Sequence, residues 1–244
     1  MVDKRIIAFY LPQYHPFPEN DEWWGKGFTE WRNVVKARPL YRGHYQPHLP
    51  ADLGFYDLRV PEVRQQQADM ARMYGINGFC YYHYWFNGKR LMDRPVKEIL
   101  ASGQPDFPFM LCWANENWSR NWDGKFRNIL IEQHYSEEDD IEHMRYLCSK
   151  VFQDTRYIRI DGKPVFAIYR SNFFPNMKHT IDVWRKVAKE EYGIELYLIR
   201  VENEPDFGPK YLDCGFDSAM DFQPLLMGEF NAWWKNLPFR IMNH

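Results

Sequence analysis

Apolar residues in this chain fall into short continuous runs, separated by stretches with a helical period. The first run is Ile6-Ile7-Ala8-Phe9-Tyr10-Leu11, broken by Pro12 and followed by Gln13-Tyr14-His15. A run without alternation is the pattern of a strand covered on both faces, as in a parallel sheet. After a long connection over residues 16 to 59, Pro61 opens a helix with the stripe Val63, Met70, Ala71 and Tyr74, and Gly75 ends it. A second strand spans residues 76 to 82, with His83-Tyr84-Trp85-Phe86-Asn87 at its far end. Pro95, Val96, Ile99 and Leu100 mark the next helix, closed by Gly103, and a third strand, residues 107 to 112, runs into Trp113-Ala114-Asn115-Glu116-Asn117-Trp118.

The alternation continues. Asp123-Gly124 signals a turn, and Ser136 with Asp139 forms a capping arrangement ahead of the stripe Ile141, Met144, Cys148, Val151 and Phe152. The acidic run Glu137-Glu138-Asp139-Asp140 suits the positive end of that helix and receives no catalytic role. Asp161-Gly162 predicts a tight turn into a fourth strand, residues 165 to 169. Ile181, Trp184, Val187 and Ala188 form a helix stripe ended by Gly193. The fifth strand, residues 195 to 201, closes in Glu202-Asn203-Glu204, and the sixth, residues 215 to 220, has Asp221 and Gln223 at its end. Strands with polar residues after them, alternating with helices, predict an α/β fold of the (β/α)8 TIM-barrel type, as one domain over residues 1 to 244. Six strands are counted, and residues 225 to 244 hold no further repeat. The expectation is a barrel truncated at its C-terminal side, its open edge covered by the last segment or by a second copy in a homo-oligomer.

Composition narrows the function classes. A chain of 244 residues with 45% hydrophobic content can bury one sizeable core. A net charge of -2 leaves no basic surplus for nucleic acid or an anionic membrane surface, and no apolar run approaches the length that spans a bilayer. Four cysteines without C-x-x-C spacing read as reduced thiols; with no charged-then-apolar leader ahead of the first strand, a cytoplasmic location is expected.

The candidate chemistry centres on residues 113 to 118. A strand end that carries a carboxylate, two carboxamides and two indoles offers hydrogen-bonding groups between flat apolar faces, the combination a sugar ring requires. Glu116 is therefore the leading catalytic candidate; the competing reading makes Trp113 and Trp118 core aromatics and Asn115 and Asn117 turn formers. Trp31, Trp85, Trp113 and Trp118 are expected to line one cleft at the strand ends. Glu202 and Asp221 are further strand-end candidates for substrate contact. For Glu202 and Glu204 the competing reading is a solvated loop, and for Asp221 a structural hydrogen bond. Gly25-Lys26-Gly27 lacks the context of a dinucleotide turn. His44 and His48 lie in a proline-interrupted loop, which does not support a metal site, and neither metal nor cofactor is expected. No Asp-x-Asp, phosphate loop or Gly-x-Ser-x-Gly element occurs.

Several motifs in order carry a resemblance: Phe9-Tyr10-Leu11-Pro12-Gln13-Tyr14-His15-Pro16, Gly27-Phe28-Thr29-Glu30-Trp31, Gln46-Pro47-His48-Leu49-Pro50, Gly75-Ile76-Asn77-Gly78-Phe79, Trp113 to Trp118 and Gly162-Lys163-Pro164. Together they resemble the WbsX-type glycosyltransferase family, also described as glycoside hydrolase family 99-like, found in O-antigen and other polysaccharide loci. The resemblance implies a (β/α)8 barrel acting on glycans, with a sugar-facing set of Tyr10, Gln13, His15, Glu30, Trp31, Tyr82, His83, Trp113, Asn115, Glu116 and Asn117. Related family 99 hydrolases cleave α-mannosidic linkages with retention, using paired glutamates in segments like Trp-Asn-Glu-Trp-x-Glu. This chain has no such segment, so that pair is not carried over. The expected function is action on glycosidic bonds of an oligosaccharide or polysaccharide, by transfer or hydrolysis. The alternative is a non-catalytic glycan-binding module.

Overall fold

The structure, a computed structural model, describes residues 5–119, 129–202 and 210–222. The apolar runs become strands and the periodic stretches helices. Strand β1 (Ile7–Tyr10) leads into the long connection, which carries α1 (Pro18–Trp24) and α2 (Trp31–Val34). Then come α3 (Pro61–Met73), β2 (Gly78–Phe86), β3 (Lys89–Leu91), α4 (Arg94–Ser102) and β4 (Phe109–Trp113). A small hairpin, β5 (Trp118–Ser119) with β6 (Ile129–Ile131), precedes α5 (Glu137–Tyr146). The rest is β7 (Arg159–Ile160), β8 (Lys163–Ile168), α6 (Met177–Tyr192), β9 (Tyr197–Glu202), α7 (Lys210–Asp213) and β10 (Ser218–Asp221).

Six strands form one parallel sheet in the order β1-β2-β4-β8-β9-β10, each the next sheet strand in sequence except for the hairpin strands β3 and β7. This is the strand order of a (β/α) barrel, with β1 and β10 as the outer strands among the described residues. The segment 225 to 244, the turn at Asp123-Gly124, Glu204 and Gln223 lie outside the described residues.

Local signals behave as their chemistry requires. Ser136 accepts from the backbone N–H of Asp139 at 3.2 Å, the expected cap. Gly103 ends α4 in the left-handed region at φ 71°. Asp161 and Gly162, at φ 50° and 78°, make the two-residue turn between β7 and β8.

Two local expectations are corrected. The buried side of α3 is Arg64, Ala68 and Ala71, whereas Tyr74 is exposed. Arg64 is buried because its guanidinium donates to the Leu58 carbonyl at 2.5 Å and pairs with Glu98 at 2.8 Å. The second strand does not end at residue 82: β2 continues through Phe86 and turns back as a hairpin, with Trp85 opposite Arg90.

The period of two along each strand divides the side chains between the sheet's faces. In register, Tyr10, Tyr81, Leu111, Phe166 and Leu198 form one row, and Phe166 packs on Trp184 of α6 with ring centroids 5.9 Å apart. Met144, Leu147, Val151 and Phe152 are fully buried in the same helix-side core. On the opposite face, Phe9, Cys80, Met110, Val165, Ile199 and Met220 surround an apolar cavity of about 340 Å³. The sheet is curled enough for side chains of β1 and β10 to share that space.

Candidate functional site

Every wall of a larger cavity, about 690 Å³, comes from a strand or from the residues just after it. Phe9, Leu11 and Gln13 come from β1 and its exit, and Tyr82 and Tyr84 from β2. Ala114, Glu116, Asn117, Trp118 and Ser119 follow β4, Tyr169 follows β8, and Phe222 follows β10. In a barrel this is the carboxyl-end face, where loop variation is compatible with a fixed scaffold.

The charged feature of this cavity is an ion pair. Arg170 Nε donates to Glu116 Oε1 at 2.8 Å, with the two side chains 25% and 42% exposed. Asn115 builds the pair: its Oδ1 accepts from the backbone N–H of Arg170 at 2.8 Å, and its Nδ2 donates to the Arg170 carbonyl at 2.8 Å. Tyr135 completes the support, donating to the Asn115 carbonyl at 2.8 Å. The Arg170 guanidinium lies 5.0 Å from the centroid of the Tyr169 ring, a cation–π distance. Asn117 Oδ1 accepts from the backbone N–H of Gln133 at 2.7 Å, which fixes the strand-end turn.

Six aromatic rings line the same cavity. Tyr84 meets Trp118 edge-on with centroids 5.2 Å apart, and Phe9 stacks on Tyr82 at 5.4 Å. Burial pushes the phenols of Tyr82 and Tyr84 up, so both stay neutral hydrogen-bonding groups. Gln13 Nε2 lies 3.4 Å from the Tyr84 hydroxyl.

Gln13 and Leu11 also line a second cavity of about 590 Å³, with Tyr14, Glu30, Asn33, Val34, Lys36 and Ala37. Glu30 is buried, and desolvation raises its carboxyl from 4.5 to about 7.

The sequence-derived candidates therefore separate. Gln13, Tyr82, Glu116, Asn117 and Trp118 line the main cavity, and Glu30 the adjoining one. Tyr10 lies on the opposite face of the sheet, bonded through its hydroxyl to Gln67 of α3 at 2.5 Å. His15 is fully buried beneath the first connection, and burial lowers its imidazole to about 4. Trp31 is held in that connection by donating to the Tyr56 carbonyl at 2.8 Å and packing on Tyr14. Glu202 is a buried strand residue whose Oε1 accepts from Arg200 at 2.9 Å, not part of a solvated loop. Asp221 pairs with Glu202 in the sheet register, and its side chain lies outside the described residues.

The four-indole cleft does not form. Trp85 and Trp113 are 2% and 0% exposed and point to the helix side. Trp85 donates to Asp139 at 2.9 Å and stacks on His143 with centroids 4.5 Å apart, while Trp113 donates to the Trp85 carbonyl at 3.2 Å. His83 belongs to the same layer, its Nε2 3.0 Å from His143 Nε2, and burial lowers its imidazole to about 3. Trp118 is the one member of the four among the cavity-lining residues.

Phe9, Leu11, Tyr84, Tyr169, Arg170 and Phe222 complete the site and were not among the sequence candidates. The signal was present for most of them. Tyr169-Arg170 follows β8 as Glu116 follows β4, and Tyr84 shares its strand face with Tyr82. Among the described residues no cluster of three or more His, Cys, Asp or Glu is placed to hold a metal ion.

Comparison with known proteins agrees with this architecture. The uncharacterized protein WxcX of Xanthomonas campestris pv. campestris, in strains B100 and ATCC 33913, is 44% identical over 219 residues. That match covers 90% of this chain and 31% of the relative, so the chain spans about a third of the length of the curated relatives it matches. Among solved structures, the GH99 endo-alpha-mannosidase from Bacteroides thetaiotaomicron has a TM-score of 0.56 at 16% identity, covering 100% of this chain and 69% of that one. A glycoside hydrolase-like protein has a TM-score of 0.61 at 18% identity, covering 98% and 64%. At such identities the likeness is one of fold, and it assigns the curled parallel sheet to the TIM-barrel-like class. Residues 6–240 match the family described as Glycosyltransferase WbsX, and with that match the chain belongs to the WbsX glycosyltransferase family of carbohydrate-active proteins.

Proposed function

We propose that the main cleft holds a stretch of glycan and that the protein acts on its glycosidic bonds, in cell-surface polysaccharide metabolism of the O-antigen type. The observation that carries this reading is the Glu116–Arg170 pair, whose carboxylate lines a cavity that also presents phenol, indole and phenyl rings. A pyranose offers C–H faces to such rings and hydroxyls to carboxylate, guanidinium and amide groups. A carboxylate fixed by Arg170 accepts a hydrogen bond from a sugar hydroxyl, or the proton of an attacking hydroxyl. Free cysteines, three of the four buried, suit the cytoplasm, where we place the reaction. Among the described residues no helix is long and apolar enough to cross a membrane.

Solved structures of similar fold include endo-alpha-mannosidases, so α-linked manno-oligosaccharides are the first ligands to test. Trp118 and the cleft tyrosines make intrinsic fluorescence the natural readout. Glu116→Gln keeps shape and removes charge. It should leave the fold intact and lower affinity or turnover by more than about tenfold, or about 1.4 kcal/mol. Unchanged affinity and turnover in the folded variant remove Glu116 from the site.

A non-catalytic glycan-binding module is the second reading. It is favoured by one observation: among the described residues Glu116 is the only carboxylate lining the main cavity, whereas glycosidic bond chemistry commonly uses two. Binding without turnover, in the presence and absence of a nucleotide sugar, would select it.

A further inference from the structure

The second cavity is not required by the reading above, yet it opens from the same two residues. Leu11 and Gln13 line both spaces, so a ligand leaving the main cleft past Gln13 enters the smaller one. The inner wall carries Glu30, 7% exposed, whose Oε2 has no hydrogen-bond partner among the described residues. Asn33 Nδ2, on the same wall, is likewise buried without a partner. Two unpaired polar groups beside a hollow of about 590 Å³ are costly for a folded chain unless a ligand pairs with them. The rest of the wall is Leu11, Val34, Ala37 and the Tyr14 ring, with Gln13 and Lys36 as its other polar residues.

We propose that this cavity is a second sugar subsite of the same cleft, in which Glu30, as a neutral carboxylic acid, donates a hydrogen bond to a hydroxyl of the next residue of the bound glycan. The proposal rests on the glycan reading of the main cleft. Desolvation, raising the Glu30 carboxyl to about 7, keeps the donor form populated up to neutral pH. The titratable groups facing Glu30 are the phenols of Tyr14 and Tyr84, both pushed up by burial, with the Lys36 ammonium on the cavity rim. Neither phenol is expected to change charge between pH 6 and 8, so Glu30 is the switching group. Asn33 would donate to a second hydroxyl, and the Gln13 amide would sit at the junction between the two sugars.

The test compares α-mannobiose with α-mannotetraose on wild-type protein, Glu30→Gln, Glu30→Ala and Glu116→Gln, by calorimetric titration at pH 6 and pH 8. In wild type the tetrasaccharide should bind more tightly than the disaccharide at pH 6, and that advantage should fall about tenfold at pH 8 as the donor form is lost. Glu30→Gln keeps an N–H donor, so its advantage should persist at both pH values. Glu30→Ala should lose it at both. Glu116→Gln should weaken both sugars alike. A wild-type length advantage that ignores pH, or one that survives in Glu30→Ala, overturns the subsite and leaves the main-cleft reading standing. If neither sugar binds wild type at either pH, both readings fall together.

Discussion

Phe9 lies in β1 and Phe222 just after β10, the two outer strands of the sheet among the described residues, and their rings meet at 5.4 Å between centroids with planes at 64°. Phe222 also meets Tyr169 at 5.5 Å, and Phe9 stacks on Tyr82, so a belt of four rings from four strands closes the floor of the cleft. The curl of the sheet and the shape of the cleft therefore depend on the same residues.

Replacing Phe222 with alanine removes one ring of this belt. Because both Phe9 and Phe222 are partly exposed, the cost should fall below that of a core phenylalanine, about 1–2 kcal/mol. Glycan affinity should fall with it, since Phe9 and Tyr169 lose the neighbour that holds their rings. Urea melts and fluorescence titration read the two effects. Lost stability with unchanged affinity would show that the belt is scaffold only.

The ion pair behaves differently. With both side chains partly in solvent, the Glu116–Arg170 bridge should contribute no more than about 1 kcal/mol to stability. Its effect on ligand should be larger: Arg170→Ala is expected to weaken glycan binding by at least about tenfold while the melting curve barely moves. Arg170→Lys should rescue poorly, because one ammonium replaces neither the fork of donors nor the stacking over Tyr169. A double-mutant cycle with Glu116→Gln separates coupling from two independent contacts.

The strand order was legible in the sequence because buried parallel strands and amphipathic helices leave different periods, and Gly103, Ser136 and Asp161-Gly162 mark boundaries by backbone chemistry alone. That polar and aromatic residues would gather at the strand exits, where the main cavity lies, was legible for the same reason. What the reading missed was the face on which each residue sits. Tyr82 and His83 are neighbours in the chain, so one must face the cleft and the other the helices; a motif match names both without choosing. Trp113 was drawn toward the site by the motif around Glu116, but its register partner His83 places it on the helix side. Arg170 was missed because the fourth strand was read to Tyr169 and nothing after it was weighed, although the chain pauses there as it does at Glu116. Arg64 lies outside the apolar stripe of α3, because a long cation can be buried when a carbonyl and a carboxylate receive it, which no hydrophobic stripe reveals.

The two kinds of tryptophan give a direct contrast. Trp85→Phe deprives the Asp139 carboxyl of its indole donor inside a dry layer, and should cost about 1–3 kcal/mol of stability without altering glycan affinity at a temperature where the variant is folded. Trp118→Ala should do the reverse, weakening the sugar more than the fold, because its ring is only half-buried and faces the cavity. Equal effects of the two variants on binding would restore a shared indole platform.

Glu30 leaves a signature on stability even without ligand. Its carboxyl titrates at about 7 in the folded chain against 4.5 in its ordinary range, so the unfolded chain gives up the proton first as pH rises. Below about pH 4.5 both states hold it, and Glu30 costs the fold nothing. Between 4.5 and 7 the folded chain keeps the Glu30 proton and the unfolded one does not, which means that the contribution of Glu30 to stability falls as pH rises, by on the order of 3 kcal/mol across the window, and levels off above it. Glu30→Gln has no proton to lose. The difference in unfolding free energy between the variant and wild type should therefore grow in favour of the variant from pH 4.5 to pH 8, while changes common to both proteins cancel. His15, lowered to about 4, and His83, lowered to about 3, lose their protons in the folded chain well before the unfolded chain does, so they add a slope of opposite sign that is common to both proteins and cancels in the difference. Chemical denaturation of both proteins at pH 4.5, 6 and 8 supplies the comparison. A difference that stays constant across the three would mean that Glu30 is ionised in the fold at neutral pH, and the second cavity would then present a carboxylate that accepts from sugar hydroxyls instead of an acid that donates to them.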